Sequence, residues 1–232
     1  MTTHPSYGNF TSSLGLPSRL LLLLINYASL AHLLLLAALW WVPGLSWTER
    51  SACFVMLLYG MPPLLGRCLL LFMTKPTGTV PVGSRTFFLW WALFQFQMLF
   101  SRFPFLEELL RTIPGLYSFW LRLWGARIGG TTFWSPGTVV TDRSFLDIGN
   151  NVIFGAGVRL NPHVLDKDED GGFRLWLETI KVGDGTMVGG YSLLTAGTQI
   201  AAGETTRAFL VSPPGSLWKN GKRVRDQERS AR

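Results

Sequence analysis

The sequence predicts an α + β protein in which N-terminal transmembrane and interfacial helices precede a parallel β-helix of hexapeptide repeats. Three observations predict this class. Residues 1–125 are rich in Leu, Phe and Trp, whereas residues 126–215 are rich in Gly, Thr and Val. Within the second region apolar residues recur at every sixth position. Charged residues make up only 15% of the chain and aromatic residues 13%, a composition too apolar for an ordinary soluble domain.

The composition and charge divide the chain into four segments and restrict its partners. The predicted segments are an N-terminal tail at 1–19, a helical domain at 20–125, a β-helix domain at 126–215 and a basic tail at 216–232. The net charge of +7 suits an anionic membrane or a phosphorylated ligand. No nucleic-acid-binding motif accompanies this charge, so nucleic acid is not an expected partner. Two cysteines in apolar segments predict no disulfide framework.

The first predicted transmembrane span is the uncharged run from Leu20 to Val42. Its 23 residues are long enough to cross a hydrocarbon core of about 30 Å. Trp40, Trp41 and Trp47 stand where an aromatic belt is expected. A signal peptide is the alternative, but this run is too long and no small-residue cleavage site follows it.

The second candidate span, 52–73, is interrupted by Pro62, Pro63, Gly66 and Arg67. We interpret it as a kinked span or two half-helices, with Arg67 either functional or directed to the membrane surface. The excess of Lys and Arg outside the connecting loop predicts that both ends of this hairpin are cytoplasmic. The protein is therefore expected to be a multi-pass protein of the bacterial inner membrane with a cytoplasmic β-helix.

The aromatic segments that follow the hairpin are short for membrane spans and contain polar residues. Residues 86–103 include two glutamines, and residues 104–124 include two glutamates and two arginines. These segments are predicted to lie in the membrane interface. A third span at 86–103 is the alternative, and it would place the C-terminal half outside the cell.

Ten hexads form the repeat. Each begins with an apolar residue, continues with a small or turn-forming residue, and has a small or β-branched residue at its fifth position in nearly every case. In a β-helix the leading side chain points inward and stacks on its equivalent in the next coil. The leading residues are Ile128, Trp134, Val140, Ile148, Phe154, Leu160, Val182, Val188, Leu194 and Ile200.

The repeat stops after the hexad that begins at Leu160 and resumes at Val182. His163 lies at the base of this excursion, and it is the one histidine of the predicted β-helix domain. Imidazole titrates near neutral pH, so His163 is a candidate general base, and Asp166 is a candidate carboxylate to orient it. The alternative is that His163 is only an exposed corner residue. A single histidine without cysteine predicts no metal site.

Several stretches of the sequence resemble the membrane-bound C-terminal modules of ε-poly-L-lysine synthetase-type peptide synthetases. Those modules join transmembrane helices to a hexapeptide acyltransferase domain. The resemblance implies that the β-helix is left-handed, whereas the general rule for crossover connections would favour the right hand. This chain lacks the adenylation domain and the tandem modules of the large synthetases. The stretches are "KPTGTVPVGSRTFFLWW" (75–91), "LWGARIG" (123–129), "FLDIGNNVIFGAGVRL" (145–160), "HVLD" (163–166) and "IKVGDGTMVGGYSLLTAGTQI" (180–200).

From the residues and the resemblance together, we expect an acyltransferase that moves an acyl group from a thioester to an amine or hydroxyl. The donor would be acyl-CoA or a carrier-protein phosphopantetheine thioester, and no permanently bound cofactor is expected. Asn161 and the basic residues Lys219, Lys222 and Arg223 are predicted to hold this donor, although a solvated tail near anionic lipid explains the basic residues equally well.

The expected partners are membrane lipid, the donor, a small-molecule or polymer acceptor, a carrier protein and further copies of this chain in a homotrimer. Two alternatives to simple acyl transfer remain. The first is an enzyme that forms amide or peptide bonds from carrier-tethered aminoacyl thioesters. The second is a non-catalytic membrane scaffold with the same fold.

Overall fold

The computed structural model describes residues 14–167 and 173–224, and these form an α + β fold with helices first and parallel sheets after them. Arg225 of the predicted basic tail, and the acidic residues Asp168, Glu169 and Asp170 that follow Asp166, lie outside the described ranges. The helices are α1 Leu16–Asn26, α2 Ala28–Ala38, α3 Trp47–Val55, α4 Met61–Leu70, α5 Arg85–Arg102, α6 Phe105–Arg111 and α7 Leu116–Leu123.

Two helical runs, Leu16–Trp41 and Trp47–Leu70, are long and apolar enough to cross a membrane by length and composition. In the most apolar 18-residue stretch of each run, only 17% and 22% of the residues are buried within the protein. Most of the Leu and Trp surface of both runs therefore faces outward. Both runs begin earlier than predicted. Pro17 occupies the first turn of α1, and a capping box between Ser46 and Glu49 starts α3.

The interruption predicted in the second run is a π-helical turn at Met56–Gly60, between α3 and α4. Pro62 and Pro63 lie directly after it, in the first turn of α4. Proline lacks the backbone N–H that an α-helix interior requires. Directly before the prolines, the backbone hydrogen bonds therefore change from the α-helical to the wider π-helical pattern. The helical path therefore continues through the prolines without ending.

The helix α5 packs mainly against α4, α1 and α2, and it reaches the repeat half through hydrogen bonds of Trp90 and Gln97. Its buried residues are Phe87, Trp90, Leu93, Gln95, Gln97, Leu99 and Phe100. The helix α7 packs on the first strands, where the Trp134 indole donates to Ser118 Oγ at 2.9 Å. Within the described residues, the two candidate spans are Leu16–Trp41 and Trp47–Leu70, and α5 is not among them.

Sixteen short strands complete the described part of the chain, and most of them pair in parallel. The first strand lies between α4 and α5 and the others follow α7. The strands are β1 Gly78–Val80, β2 Arg127–Ile128, β3 Phe133–Trp134, β4 Val139–Val140, β5 Leu146–Ile148, β6 Ile153–Phe154, β7 Arg159–Asn161, β8 His163–Lys167, β9 Phe173–Leu177, β10 Ile180–Val182, β11 Met187–Val188, β12 Leu193–Thr195, β13 Gln199–Ile200, β14 Val211–Ser212, β15 Leu217–Lys219 and β16 Lys222–Val224.

The chain visits three parallel sheets in rotation. The first sheet stacks β2, β5, β10, β13 and β15 in that order, with β16 as an antiparallel edge. The second stacks β3, β6 and β11, and the third stacks β4, β7, β12 and β14. All ten leading residues of the predicted hexads are buried, and equivalent ones are register partners, such as Val140 with Leu160 and Leu160 with Leu194. The predicted inward positions are therefore confirmed.

Close stacking explains the glycines at the second hexad position. A Cβ added to Gly129 or Gly183 would lie 2.4 Å from backbone atoms of the next coil. The repeat also runs further than predicted, because β14 and β15 stack on β12 and β13. Part of the segment predicted as a basic tail is thus a β-hairpin, with the Trp218 indole donating to Ser212 Oγ at 2.8 Å.

The excursion after Leu160 is an antiparallel hairpin made of β8 and β9. The strand β1, which follows the second apolar run, pairs with the other edge of β9. The resulting three-stranded sheet has the order β1-β9-β8 and ties the excursion to the helical half.

Candidate functional site

The hexad rhythm breaks twice at the same corner, where the chain leaves the third sheet for the first. The spacing from Val140 to Ile148 is eight residues instead of six, and the spacing from Leu160 to Val182 is 22. Val140 and Leu160 are neighbours in the third sheet. The two irregular segments therefore leave adjacent strands side by side, which brings Asp142 to His163.

The Asp142 carboxylate is fully buried and accepts hydrogen bonds from three groups. Its Oδ2 lies 2.5 Å from Nδ1 of His163 and 3.0 Å from Oγ1 of Thr141. Its Oδ1 accepts from the Trp90 indole N–H at 2.9 Å. A buried carboxylate needs such partners to offset the loss of water, and these also fix its orientation.

The His163 imidazole lies between α5 and the corner, with 18% of its side chain exposed. The rings of Trp90 and Phe94 contact it edge-on, with centroid distances of 5.2 and 5.3 Å. Among the described residues, only Nδ1 has a hydrogen-bond partner, so Nε2 remains available for another molecule. His163 is thus more enclosed than a simple corner residue.

Burial and charge act in opposite directions on this pair. Burial alone would lower the pKa of His163, but the charge and hydrogen bond of Asp142 outweigh it, and the pKa lies above the usual 6.5. Burial likewise opposes ionisation of Asp142, yet the contacts with His163, Trp90 and Thr141 hold its pKa below the usual range. Both shifts favour an ion pair of carboxylate and imidazolium.

The structure places Asp166 away from His163. The residues of β8 alternate between the two faces of the hairpin, so Asp166 and His163 point to opposite sides. His163 pairs with the buried Leu177, whereas Asp166 is exposed and pairs with Arg174. The carboxylate that reaches His163 is Asp142, which was not among the predicted site residues.

Asn161, which was predicted to bind the acyl donor, lies two positions before His163 at the end of β7. Its side-chain oxygen is buried and, within the described residues, has no hydrogen-bond donor. An orphaned buried acceptor is unfavourable unless a bound molecule supplies an N–H or O–H group.

Lys219, Lys222 and Arg223, the other predicted donor-binding residues, all lie on the exposed β15–β16 hairpin. Within the described residues, no hydrogen bond or ion pair joins this hairpin to His163 or to Asp142. The structure therefore does not bring these basic residues to His163.

A buried ionic network adjoins the pair and was not predicted. Arg143, the residue after Asp142, donates through its guanidinium to Glu107 of α6, and its backbone N–H donates to Gln97 Oε1 at 2.6 Å. Glu107 also accepts from Tyr117 Oη at 2.7 Å and from Arg111 at 3.1 Å. These bonds hold the first irregular corner against α5 and α6.

No family model matches the chain, and no curated protein does either. Within the described residues, no group of three or more metal-binding side chains comes together.

Several solved structures of acetyltransferases are similar to part of this chain. One is a hexapeptide-repeat-containing acetyltransferase from Vibrio cholerae, with 15% identity, 56% of this chain and 90% of that chain covered, and a TM-score of 0.32. A maltose O-acetyltransferase from Clostridium difficile has 16% identity, 54% and 84% coverage, and a TM-score of 0.34. A galactoside acetyltransferase in complex with coenzyme A has 14% identity, 56% and 84% coverage, and a TM-score of 0.34.

At these identities and TM-scores, the likeness does not by itself assign an activity to this chain. The specific resemblance to peptide synthetase modules gains no support from these comparisons.

Proposed function

We propose that the chain is a membrane-integrated acyltransferase that moves an acyl group from a thioester to an amine or hydroxyl acceptor. The observation that carries this proposal is the buried Asp142 carboxylate on Nδ1 of His163, with Nε2 left available. A carboxylate on one ring nitrogen fixes the tautomer in which the other nitrogen is a base.

In the proposed reaction, Nε2 of His163 removes the proton from the acceptor N–H or O–H group. The acceptor atom attacks the thioester carbonyl, and the resulting imidazolium is stabilised by Asp142. The carbon–sulfur bond then breaks, and the leaving thiolate takes the proton from the imidazolium. His163 is the catalytic residue in this scheme, and Asp142 is a positioning residue that acts through it.

The donor is proposed to be acyl-CoA or a carrier-bound phosphopantetheine thioester. The buried Asn161 oxygen, two residues from His163, is suited to accept an amide N–H of the donor arm. Lys219, Lys222 and Arg223, which lie coils away, would meet a more distant, phosphate-bearing part of an extended donor. This arrangement supports an elongated donor laid along the repeat.

The repeat domain is proposed to be a left-handed β-helix that assembles as a trimer. The rotation of the chain through three sheets supports the β-helix. Exposed apolar side chains form a row on the outer face of the second sheet. They belong to the register partners Phe133, Ile153 and Met187, and this apolar row supports association with other copies. The outward-facing apolar surface of the two long helical runs supports membrane integration.

Replacing His163 with Ala tests the function. The full chain, purified in neutral detergent, is supplied with acetyl-CoA and a panel of amine and hydroxyl acceptors, and thiol release is followed. We expect the variant to lose on the order of 10²–10⁴-fold in turnover. The variant leaves the buried Asp142 carboxylate without its imidazole partner, so a lower melting temperature is also expected, and turnover is compared at a temperature where both proteins are folded.

Asp166→Asn is the matched comparison, because Asp166 lies on the same strand but on the opposite face. It is expected to retain near wild-type turnover, while Asp142→Asn is not. His163→Ala activity within threefold of wild type would contradict the mechanism and favour the membrane scaffold.

A further inference from the structure

A second polar feature lies apart from the His163–Asp142 pair, beside the end of the second apolar run. It is a cleft of about 510 Å³ between α4, the segment before β1 and the first sheet. The basic side chains that line it are Arg67, Lys75, Arg127 and Lys181. A shallower depression shares Arg67 and Arg127 with the cleft and adds Arg122.

The cations of this basic cleft outnumber its carboxylates. Five basic residues line the cleft and the depression together, against two acidic ones, Asp147 and Glu178. Asp147 lies 3.6 Å from Arg127, and Glu178 accepts the Trp176 indole N–H at 3.1 Å. The excess positive charge therefore remains within one concave site.

Arg67 is a basic residue of the cleft that the protein's own described groups leave unengaged. Among the described residues, its guanidinium has neither an ion-pair partner nor a hydrogen-bond acceptor. Lys75 is already engaged, because its Nζ donates to the carbonyl oxygens of Gly125 at 3.0 Å and Ser144 at 2.5 Å. These two bonds anchor a charged nitrogen at the wall of the cleft.

The electrostatic environment agrees with a site built for an anion. Burial first, and then the charges of Arg127 and Arg67, hold the pKa of Lys75 below its usual range, with Asp147 opposing them. Like charges held together repel one another, and a bound anion relieves this repulsion. Arginine forks match phosphate oxygens geometrically, and lysine supplies a point charge.

The position of Arg67 indicates where the anion would come from. It lies in the last turn of α4, close to the end of the apolar run Trp47–Leu70. If that run crosses a membrane, its end lies at headgroup depth, where phosphate groups are concentrated. The cleft also opens to the aqueous side through exposed residues of the first sheet, such as Arg127 and Lys181.

We propose that the basic cleft binds the phosphate group of an organophosphate, supplied by an anionic lipid headgroup or by a soluble phosphate ester. The two sources share the same recognition chemistry. The proposal does not depend on acyl transfer, because none of the basic side chains belongs to the His163–Asp142 pair.

Binding is tested on the full chain in neutral detergent by titration calorimetry with two probes. The first is phosphatidylglycerol dispersed in the same detergent, compared with phosphatidylcholine, and the second is glycerol 3-phosphate. We expect saturable binding of at least one probe, and Arg67→Gln and Arg127→Gln to weaken it by roughly tenfold each. Binding of phosphatidylglycerol alone identifies a headgroup site, and binding of glycerol 3-phosphate identifies a phosphate-ester site.

The matched controls each remove one exposed arginine elsewhere on the repeat domain, by Arg159→Gln or by Arg207→Gln. Each control loses the same net charge as Arg67→Gln or Arg127→Gln and should bind as the wild type does. Absence of binding to both probes, or an equal loss in either control, would overturn the proposal. If Arg67→Gln does not fold, Lys181→Gln on the exposed face of β10 gives the same test.

Discussion

Asp142→Asn removes the charge on which the proposed site depends while keeping the size of the side chain. Asp142 is fully buried and accepts from His163, Trp90 and Thr141. An amide has one acceptor oxygen and an NH₂ donor, so it cannot accept from all three groups. If its NH₂ faces His163, the imidazole proton moves to Nε2, and the base is lost.

The expected change in turnover is a fall on the order of 10²–10⁴-fold, the range typical of a displaced general base. The pH profile separates this cause from misfolding. In the wild type, kcat/KM should rise with pH through an apparent pKa above 6.5, because Asp142 raises the pKa of His163. In Asp142→Asn the burial of His163 persists without the carboxylate, so the rising limb should move toward lower pH while the plateau falls.

The same substitution has a predicted effect on stability, with a defined pH window. The raised pKa of His163 contributes stability that is present below about pH 6.5 and is lost as the pH rises through the folded-state value. The lowered pKa of Asp142 contributes stability that is present above about pH 4 and is lost as the pH falls through the folded-state value.

Asp142→Asn should therefore lower the free energy of unfolding most between about pH 4 and pH 6.5, by roughly 3 kcal/mol, and less in alkaline solution. Scanning calorimetry and initial rates across this range check both effects. An unchanged pH–rate profile, together with a pH-independent melting deficit, would refute the coupling of Asp142 to His163.

Two further substitutions test the packing that positions the site. Val188→Asp places an unpaired charge in the fully buried stack and should cost several kcal/mol, whereas Val211→Asp, on the exposed side of β14, should melt close to wild type. Equal melting of the two would show that the inward register is wrong. Glu107→Gln leaves Arg143 buried without its carboxylate and should cost about 3–5 kcal/mol by thermal or denaturant unfolding. Glu108→Gln, its more exposed neighbour, should cost under about 1 kcal/mol, and the reverse order would contradict the network.

The hexad positions were predictable because they follow from local rules. An apolar residue every six positions is buried whenever short strands stack, so Ile128 and Leu194 take their places without knowledge of distant contacts. The end of the repeat was harder to predict, because Ser212 occupies an inward position where an apolar residue is expected. Its hydroxyl accepts from Trp218 and from Thr198, which makes a polar residue tolerable there.

The carboxylate partner of His163 was missed because proximity in sequence was taken for proximity in space. Asp166 is three residues away, but strand alternation turns it to the other face. Asp142 is 21 residues away, and one coil of the repeat places it alongside. The usable signal was the eight-residue spacing after Val140, which breaks the hexad rhythm at the same corner as the His163 excursion.

The helix α5 makes the helical half part of the proposed site. Trp90, Phe94 and Gln97 follow one another at helical spacing and contact Asp142, His163 and Arg143, respectively. On the same helix, Trp91 and Gln95 both donate to the Asn26 side chain at the end of α1. The helix α5 thus connects the first apolar run to the two irregular segments that follow β4 and β7. The orientation of His163 depends on Trp90 and Phe94, so the arrangement of the apolar helices and the geometry of the proposed base are coupled through α5.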